Sequence, residues 1–478
     1  MKRITTLFLT MLALSLPTQS FGAVRERAST QADHQSLNLT VYNDGTALIH
    51  DRRRVSLDAG LNRIAWRDVS ANMEPTSAIL DDLDQNASAS VLEQNFNYDV
   101  LDQDSLLRNY VGRVVTIVHP ARFAGERDVR EPARILTMDN GIVLQYRDRI
   151  ETTLNGYVEF PAIPPSLRDR PTLTLDIQSG RSGPHLLDLQ YLSGGLTWHV
   201  DYVGTLSRDE SKMALTGLVT LANASGTSFR DARLQLVAGS VHTVPARAGL
   251  KMIAHVVSAV RGDIYHANVA QENYFEYHLY TLPRPTTILD KQTKQLLLLG
   301  ARDIPVKKTL ELRGQPNDYF SADSDLGARE PVGVYVSFEN RGGDLGIPLP
   351  AGSMRIYEDD SHGLAQFVGS DAIAHTPRNG AVRLYLGNSF DLVARKRQTN
   401  YRLISKCSNE SSYAIDFTNG KDMPQDVTVI EPIPGDWRIE SESEPHVKSS
   451  ASTATWIVHV PADGKATLAY AAAVSWCR

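Results

Sequence analysis

The stretch YLSGGLTWHVDYVGTLS carries the three side-chain types of a nucleophilic hydrolase. Ser193 has the hydroxyl of a nucleophile, His199 could serve as its base, and Asp201 could orient the imidazole. In hydrolases of this type the fold assembles these groups from distant segments, so closeness along one strand does not indicate a site. A catalytic pair of His199 and Asp201 is therefore kept only as the less favoured alternative.

Apolar alternation indicates a structural role for the same stretch. Leu196, Trp198 and Tyr202 fall on one face of a strand, which makes them predicted core residues, whereas His199 and Asp201 fall on the opposite face. Two glycines precede the strand and favour a bulge or a sharp bend, because glycine adopts backbone angles that other residues resist. We therefore interpret the stretch as a bent strand with a polar, solvent-facing side.

Scattered carboxylates give a second chemical hypothesis, the hydrolysis of envelope glycans. A retaining glycosidase needs two carboxyl groups roughly 5 Å apart, and Asp201, Asp371 and Asp391 are candidates. The sequence does not pair them in space, so the identity of any catalytic residue stays unknown.

Residues 358–363, Glu-Asp-Asp-Ser-His-Gly, cluster the hard oxygen ligands that a divalent cation prefers. The stretch lacks the alternating spacing of a calcium loop, so we favour a solvated hairpin turn over a bound cation. His255 and His266 are expected to be surface or core side chains rather than ligands. The zinc, nucleotide-binding, nucleophile-elbow and calcium motifs that we sought are missing from the sequence, and no metal or cofactor is predicted.

The N-terminal residues predict export. A basic start and an apolar run from residue 4 to residue 16 are followed by Ser20-Phe21-Gly22, which is the pattern of a secretory signal peptide. We expect cleavage after Gly22, with cleavage after Ala23 as the alternative, and a periplasmic or secreted product. No later apolar run reaches the roughly 18 residues of a transmembrane anchor. The net charge of −6 argues against nucleic acid as a partner.

Cys407 and Cys477 are the two cysteines of the chain, too few for a disulfide-dense scaffold or a cysteine zinc site. Cys407 follows the first predicted strand of the last domain, and Cys477 ends its last strand. The first and last strands of a sandwich often lie side by side, and an exported chain meets an oxidising environment. We predict a disulfide between them, with two separate buried thiols as the alternative.

Period-two alternation recurs along most of the chain, and convincing helical spacing is scarce. The predicted fold is therefore all-β, with tandem antiparallel β-sandwich and small β-barrel domains, an immunoglobulin-like C-terminal domain and few short helices. The predicted organisation is a signal peptide at 1–22, an N-terminal β-domain at 36–100, a small β-barrel-like domain at 101–165, a central β-sandwich region at 166–397 with a helical insertion near 248–270, and a C-terminal immunoglobulin-like sandwich at 398–478.

Four segments of the chain resemble one bacterial protein family. They are LQYLSGGLTWHVDYVGTLS, LTGLVTLANASGTSFRDARLQLVAGSV, YHLYTLPRPTTILDKQTKQLLLL and FVGSDAIAHTPRNGAVRLYLGNSFDL. The family is the bacterial domain-of-unknown-function family 4139, with its mucoidy-inhibitor-like relatives, and the resemblance runs from about Leu39 to the C-terminus. This chain lacks the coiled-coil insertion that longer relatives carry near the N-terminus. The resemblance implies an exported, β-rich envelope protein and brings no established activity or catalytic residues.

These observations favour a non-catalytic interaction or structural β-sandwich protein of the cell envelope. Its sheet edges and loops would engage an envelope protein or a glycan. The alternatives are a glycan-acting hydrolase and a glycan-binding protein that uses a surface aromatic platform.

Overall fold

The computed structural model describes residues 25–84, 86, 88–97, 101–121, 127–139, 141–164, 167–239, 270–322, 327–342 and 344–476. Most of these residues lie in β-strands, which confirms the predicted all-β class. The sheets that they form are open, and none closes into a barrel within the described residues. None of the described helices is long and apolar enough to span a bilayer.

The strands are numbered in chain order. Strands β1 to β13 are Glu26–Ser29, His34–Tyr42, Ala47–Leu57, Gly60–Arg67, Ile79–Asp82, Ala89–Asn97, Val114–His119, Val129–Thr137, Val143–Gln145, Ile150–Glu151, Tyr157–Glu159, Thr172–Ser179 and Gly183–Ser193. Strands β14 to β30 are Leu196–Leu206, Lys212–Asn223, Phe229–Ala238, Ala270–Tyr274, Tyr277–Thr281, Thr286–Ile288, Gln292–Arg313, Ala328–Glu339, Gly352–Asp359, Ala365–Ile373, Ala381–Ser405, Ser408–Asn419, Gln425–Pro432, Asp436–Glu442, Val447–Ser450, Thr453–Val460 and Lys465–Ser475. The helices are α1, Gln103–Asn109, and three short 3-10 helices, Gln31–Asp33, Pro75–Ser77 and Pro316–Tyr319.

The described residues fall into two compact units. The first unit comprises the described parts of Met1–Ser36 and His50–Tyr191, and the second comprises those of Leu37–Ile49 and Leu192–Arg478. The predicted domain boundary at residue 398 falls within β24, which runs through that position. The predicted helical insertion near 248–270 lies outside the described residues, apart from Ala270, which begins β17.

The first unit contains a four-stranded sheet in the order β1-β4-β12-β6 and a five-stranded open sheet in the order β10-β9-β8-β7-β11. A third group of strands has the order β3-β13-β5, in which β3 belongs to this unit from His50 onward. Helix α1 begins where the Asp102 carboxylate accepts the backbone N–H of Ser105 at 2.7 Å, which caps the helix. Its Leu107 packs in one core with Ile117 of the five-stranded sheet.

The second unit contains the order β17-β18-β16-β2 and a long sheet in the order β23-β22-β14-β15-β20-β21-β24-β25-β30-β27. Strand β20 also pairs in parallel with β26, which continues through β29 to β28. Large side chains from these strands share one core near the C-terminus. They include Leu312, Ile415, Phe417, Val429, Trp456, Leu468 and Tyr470.

Candidate functional site

Strand β14 buries the three predicted core residues of the opening stretch. Leu196 and Tyr202 are fully buried, and Trp198 is 3% exposed. The Tyr202 hydroxyl donates to the backbone carbonyl of Pro350 at 2.9 Å. Burial raises the pKa of Tyr202, so this phenol stays protonated and acts as a structural donor.

The polar residues of the same stretch are distributed over different environments. Ser193 is buried and donates to the carbonyl of Gly194 at 2.8 Å, whereas the His199 side chain is 60% exposed. Asp201 Oδ2 lies 3.2 Å from His199 Nε2, but the Asp201 side chain is only 13% exposed. The Asp201 carboxylate accepts from the Thr220 hydroxyl at 2.7 Å, which fixes it on the sheet. Asp201 is therefore mostly covered, where alternation alone predicted a solvent-facing carboxylate.

The glycosidase candidates lie on different parts of the sheet. Strand β22 pairs Ser353 with Asp201 of β14 and Met354 with Asp371 of β23. Because successive residues of a strand point to opposite faces, Asp201 and Asp371 lie on opposite sides of the sheet. Asp391 is exposed on β24. Asp201 and Asp371 therefore do not form the closely spaced pair that the hydrolase hypothesis needs.

Residues 358–363 comprise the end of β22 and the turn that leads to β23. Both the His362 and the Leu364 backbone N–H groups donate to Asp360 Oδ1 at 2.9 Å. These backbone donors lower the pKa of Asp360. The carboxylate thus closes the turn, and Gly363 provides a φ of +75° that a β-carbon would resist. His255 and His266 lie outside the described residues.

A serine, a histidine and an aspartate meet inside the first unit, and sequence reasoning missed them. His185 Nδ1 is 2.9 Å from Asp82 Oδ2, and His185 Nε2 is 3.3 Å from Ser179 Oγ. The order of contacts is that of a nucleophilic triad. The three side chains come from the ends of β12 and β5 and from the start of β13.

This buried cluster is closed to substrate. The side chains of His185 and Asp82 are 0% and 1% exposed, and Ser179 is 1% exposed. The Ser179 hydroxyl donates to the Arg181 carbonyl at 2.7 Å. Burial tends to raise the pKa of Asp82, but hydrogen bonds from His185 and from backbone N–H groups, including that of Ser88, outweigh it and lower that pKa. The cluster therefore links three strand ends rather than presenting a nucleophile.

Asp82, Asp84 and His185 also form the one grouping within the described residues whose atoms are close enough to share a metal ion. Asp82 Oδ2 already accepts from His185 and from two backbone N–H groups, and Asp84 is paired with Arg181. Their lone pairs are thus taken by donors, so the arrangement fits a hydrogen-bonded ion pair better than a cation site.

A second buried cluster lies in the second unit around Glu431. Lys396 Nζ is 2.8 Å from Glu431 Oε2 and 2.7 Å from Asp318 Oδ2. The Tyr319 hydroxyl donates to Glu431 Oε2 at 2.9 Å and lies 2.9 Å from the Tyr470 hydroxyl. Glu431 is 0% exposed and the Lys396 side chain is 9% exposed. The cluster thus places a lysine between two carboxylates in the interior.

Burial raises the pKa of Glu431, although Lys396 and the Tyr319 hydroxyl partly counteract that effect. Gly314 is required beside the glutamate, because a β-carbon there would lie 2.0 Å from Glu431 Oε2. Any side chain at position 314 would therefore displace the carboxylate from Lys396.

Exposed aromatic side chains lie on β23 and β24, which meet where Asp371 Oδ2 accepts the backbone N–H of Tyr385 at 2.8 Å. We call Phe367, Val368, Tyr385 and Phe390 the β23–β24 surface. Phe390 is 87% exposed, Phe367 58% and Tyr385 41%. These exposed aromatic side chains are candidates for contact with a partner.

Comparison with known proteins found no match for the chain. No family model matches the chain, and no curated protein matches it.

Proposed function

We propose that the chain is an exported, non-catalytic interaction or structural protein of the bacterial cell envelope. The observation that carries the proposal is the β23–β24 surface. The resemblance of four sequence segments to family 4139, with its exported envelope proteins, supports the same assignment. The partner is an envelope protein or a glycan.

The β23–β24 surface has the chemistry of a binding hot spot. Phe390 exposes most of its ring to water, so its burial by a partner would release a large apolar area. Tyr385 lies 5.2 Å from the ring of Tyr335, and the Arg383 guanidinium lies 3.7 Å from that same ring. Tyrosine and arginine are the residues that most often dominate interface energies.

The test is a pull-down from periplasmic extract with the wild-type protein and a Phe390→Ser variant as baits. We expect Phe390→Ser to lose a partner that the wild type captures. Ile457→Ser is the matched control, because Ile457 is 67% exposed on β29, which pairs with β26 and β28 and not with β23 or β24. If both variants capture the partner as well as the wild type does, the β23–β24 surface is not its binding site.

Glycan binding is the second candidate function, favoured by polar groups around the same rings. The Tyr385 hydroxyl donates to Asn388 Oδ1 at 2.8 Å, and Arg383 pairs with the nearly buried Glu311. An aromatic face flanked by fixed polar groups suits a sugar ring. Co-sedimentation with purified peptidoglycan sacculi tests glycan binding. Sedimentation of the wild type but not of Tyr385→Ala would support it.

Export is a separate prediction of the proposal. The signal-peptide pattern ends at Gly22, so the exported protein is expected to begin at Ala23, or at Val24 if cleavage follows Ala23. Mass spectrometry of protein recovered from the periplasm or medium measures this N-terminus. An intact Met1 on protein in the envelope fraction would contradict it.

The cysteine pairing stays a prediction, since Cys477 lies outside the described residues. The backbone N–H of Trp476 donates to the Cys407 carbonyl at 3.0 Å, which supports the pairing. Closing a loop of about 70 residues would stabilise the fold by up to roughly 4 kcal/mol. Maleimide labelling of denatured, unreduced protein is expected to find no thiol, and two after reduction. Two labelled thiols before reduction would show separate cysteines.

A further inference from the structure

We propose that Lys396 and Asp318 of the second unit become joined by an intramolecular amide bond, with Glu431 as the group that moves the proton. The bond would run between the side chains of β24 and of the 3-10 helix that follows β20. Such a modification site lies apart from the β23–β24 surface and does not depend on the proposed function.

The two groups that would react are in contact. Lys396 Nζ lies 2.7 Å from Asp318 Oδ2, and the backbone N–H of Gln315 donates to the same oxygen at 3.2 Å. The 3-10 helix Pro316–Tyr319 fixes the aspartate, because the Asp318 carboxylate and the Gln315 backbone bridge its first turn. Holding two groups together replaces a bimolecular encounter with an intramolecular one, for which effective concentrations reach roughly 10⁵ M or more when the reacting atoms are aligned.

Glu431 occupies the position of a proton shuttle. Both of its carboxylate oxygens lie within 2.9 Å of Lys396 Nζ, and its side chain is fully buried. A desolvated carboxylate accepts a proton more readily than one in water. Glu431 can therefore take a proton from the lysine and return it to the leaving oxygen.

Aromatic rings shield the lysine from water. Lys396 Nζ lies 4.9 Å from the ring centroid of Tyr413 and 5.7 Å from that of Tyr319. The Tyr413 hydroxyl donates to the Asp318 carbonyl, which ties the ring to the helix that carries the aspartate. Exclusion of water favours condensation over the reverse hydrolysis. Asp318 itself is 30% exposed, which gives the released water a way out.

The step balances without any other reactant. The Lys396 ammonium gives a proton to Glu431, and the neutral amine attacks Cγ of Asp318 to form the C–N bond. The second amine proton and the proton held by Glu431 leave with one carboxyl oxygen of Asp318 as water. An ammonium and a carboxylate are thus replaced by a neutral amide and one water, and Glu431 ends as it began.

Peptide mapping of the full-length protein tests the proposal directly. In the purified, reduced and denatured protein, trypsin is expected to yield residues 314–329 linked through Asp318 to the dipeptide 396–397. The linked peptide is one water lighter than the sum of its parts. A succinimide at Asp318 has the same mass loss but leaves position 396 in a separate peptide, so this outcome would overturn the proposal.

Three variants assign the roles. Intact mass is expected to lose its one-water deficit in Lys396→Arg and in Asp318→Ala, and the linked fraction is expected to fall at least tenfold in Glu431→Gln. Lys308→Arg is the control, because Lys308 is also paired with a glutamate on the same unit, and it is expected to keep the deficit. A wild-type mass without the deficit, or a link to the peptide that contains Glu431, would refute the proposal.

Discussion

Replacing Arg53 with methionine is expected to lower the free energy of unfolding of the first unit by about 3–5 kcal/mol. The Arg53 side chain is 0% exposed, and its Nη2 lies 2.7 Å from Asp51 Oδ2. Its other donors reach the backbone carbonyls of Ser29 and Arg67, both at 2.8 Å. Without the guanidinium, Asp51 becomes a buried carboxylate without its main counter-charge, which is the costly way to break an ion pair.

Chemical denaturation with hydrogen-exchange readout on first-unit peptides measures this effect. The control is Arg27→Met, because Arg27 pairs with Asp58 on the surface and is expected to contribute less than about 1 kcal/mol. The double variant Asp51→Leu, Arg53→Met removes both charges and is expected to be less destabilised than Arg53→Met alone. Equal stabilities of Arg53→Met and Arg27→Met would contradict the prediction.

The same ion pair predicts an acid-dependent part of the stability. Burial tends to raise the pKa of Asp51, but Arg53 and the neighbouring His34, whose Nε2 lies 3.0 Å from Asp51 Oδ1, outweigh it, and the pKa falls from 3.8 to about 2. A lowered folded-state pKa stabilises the folded state above the unfolded value, and this contribution is lost as the pH falls through about 2. Its size is about 2 kcal/mol. Unfolding curves between pH 5 and pH 2 should therefore fall less steeply for Asp51→Asn.

Alternation along β3 and β13 is enough to identify the buried ionisable side chains from the sequence. Arg53 lies in phase with Ile49 and Leu57, which are buried, and His185 lies in phase with the buried Leu187 and Leu189. A charged residue in the apolar phase of a strand predicts a buried ion pair, since an unpaired charge would be too costly there. The core face of β14 was predicted from the same alternation, whereas Arg53 of β3 and His185 of β13 were not recognised as buried.

Glu431 carries the same signal, in phase with Val427 and Val429 of β26. The pattern alone predicts that the glutamate is buried and paired, but not with which residue. Lys396 comes from β24 and Asp318 from a 3-10 helix, so their meeting depends on pairings between strands far apart in sequence. Local patterns thus predict the strand class and the inward phase, whereas the composition of a cluster requires the sheet order.

The all-β class could be read from the sequence because period-two alternation is a local property. Sheet order could not be read in this way. β22 lies parallel to β14, and β20 pairs with β15 along its first part and with both β21 and β26 toward its end. The separation of Asp201 from Asp371 onto opposite faces follows from this register, and no spacing along the chain contains it.

Truncation of Trp198 to alanine is expected to destabilise the second unit by about 3–5 kcal/mol. Trp198 is 3% exposed on β14, in line with the fully buried Leu196 and Tyr202, so alanine leaves a cavity among packed side chains. The indole Nε1 has no hydrogen-bond partner within the described residues. Trp198→Phe is therefore expected to cost less than half as much, because it keeps most of the ring volume and removes an unsatisfied donor.

Substitutions on the opposite face of β14 provide the contrast. His199→Ala is expected to stay within about 0.5 kcal/mol of wild type, because the side chain is 60% exposed. Asp201→Ala is expected to cost about 1–2 kcal/mol, since its carboxylate accepts from Thr220 and Arg355 under partial cover. Thermal and urea unfolding of the second unit measure the order Trp198→Ala, then Asp201→Ala, then His199→Ala. If Trp198→Ala unfolds with the wild-type midpoint, or if His199→Ala is the most destabilised, β14 is not the core strand described here.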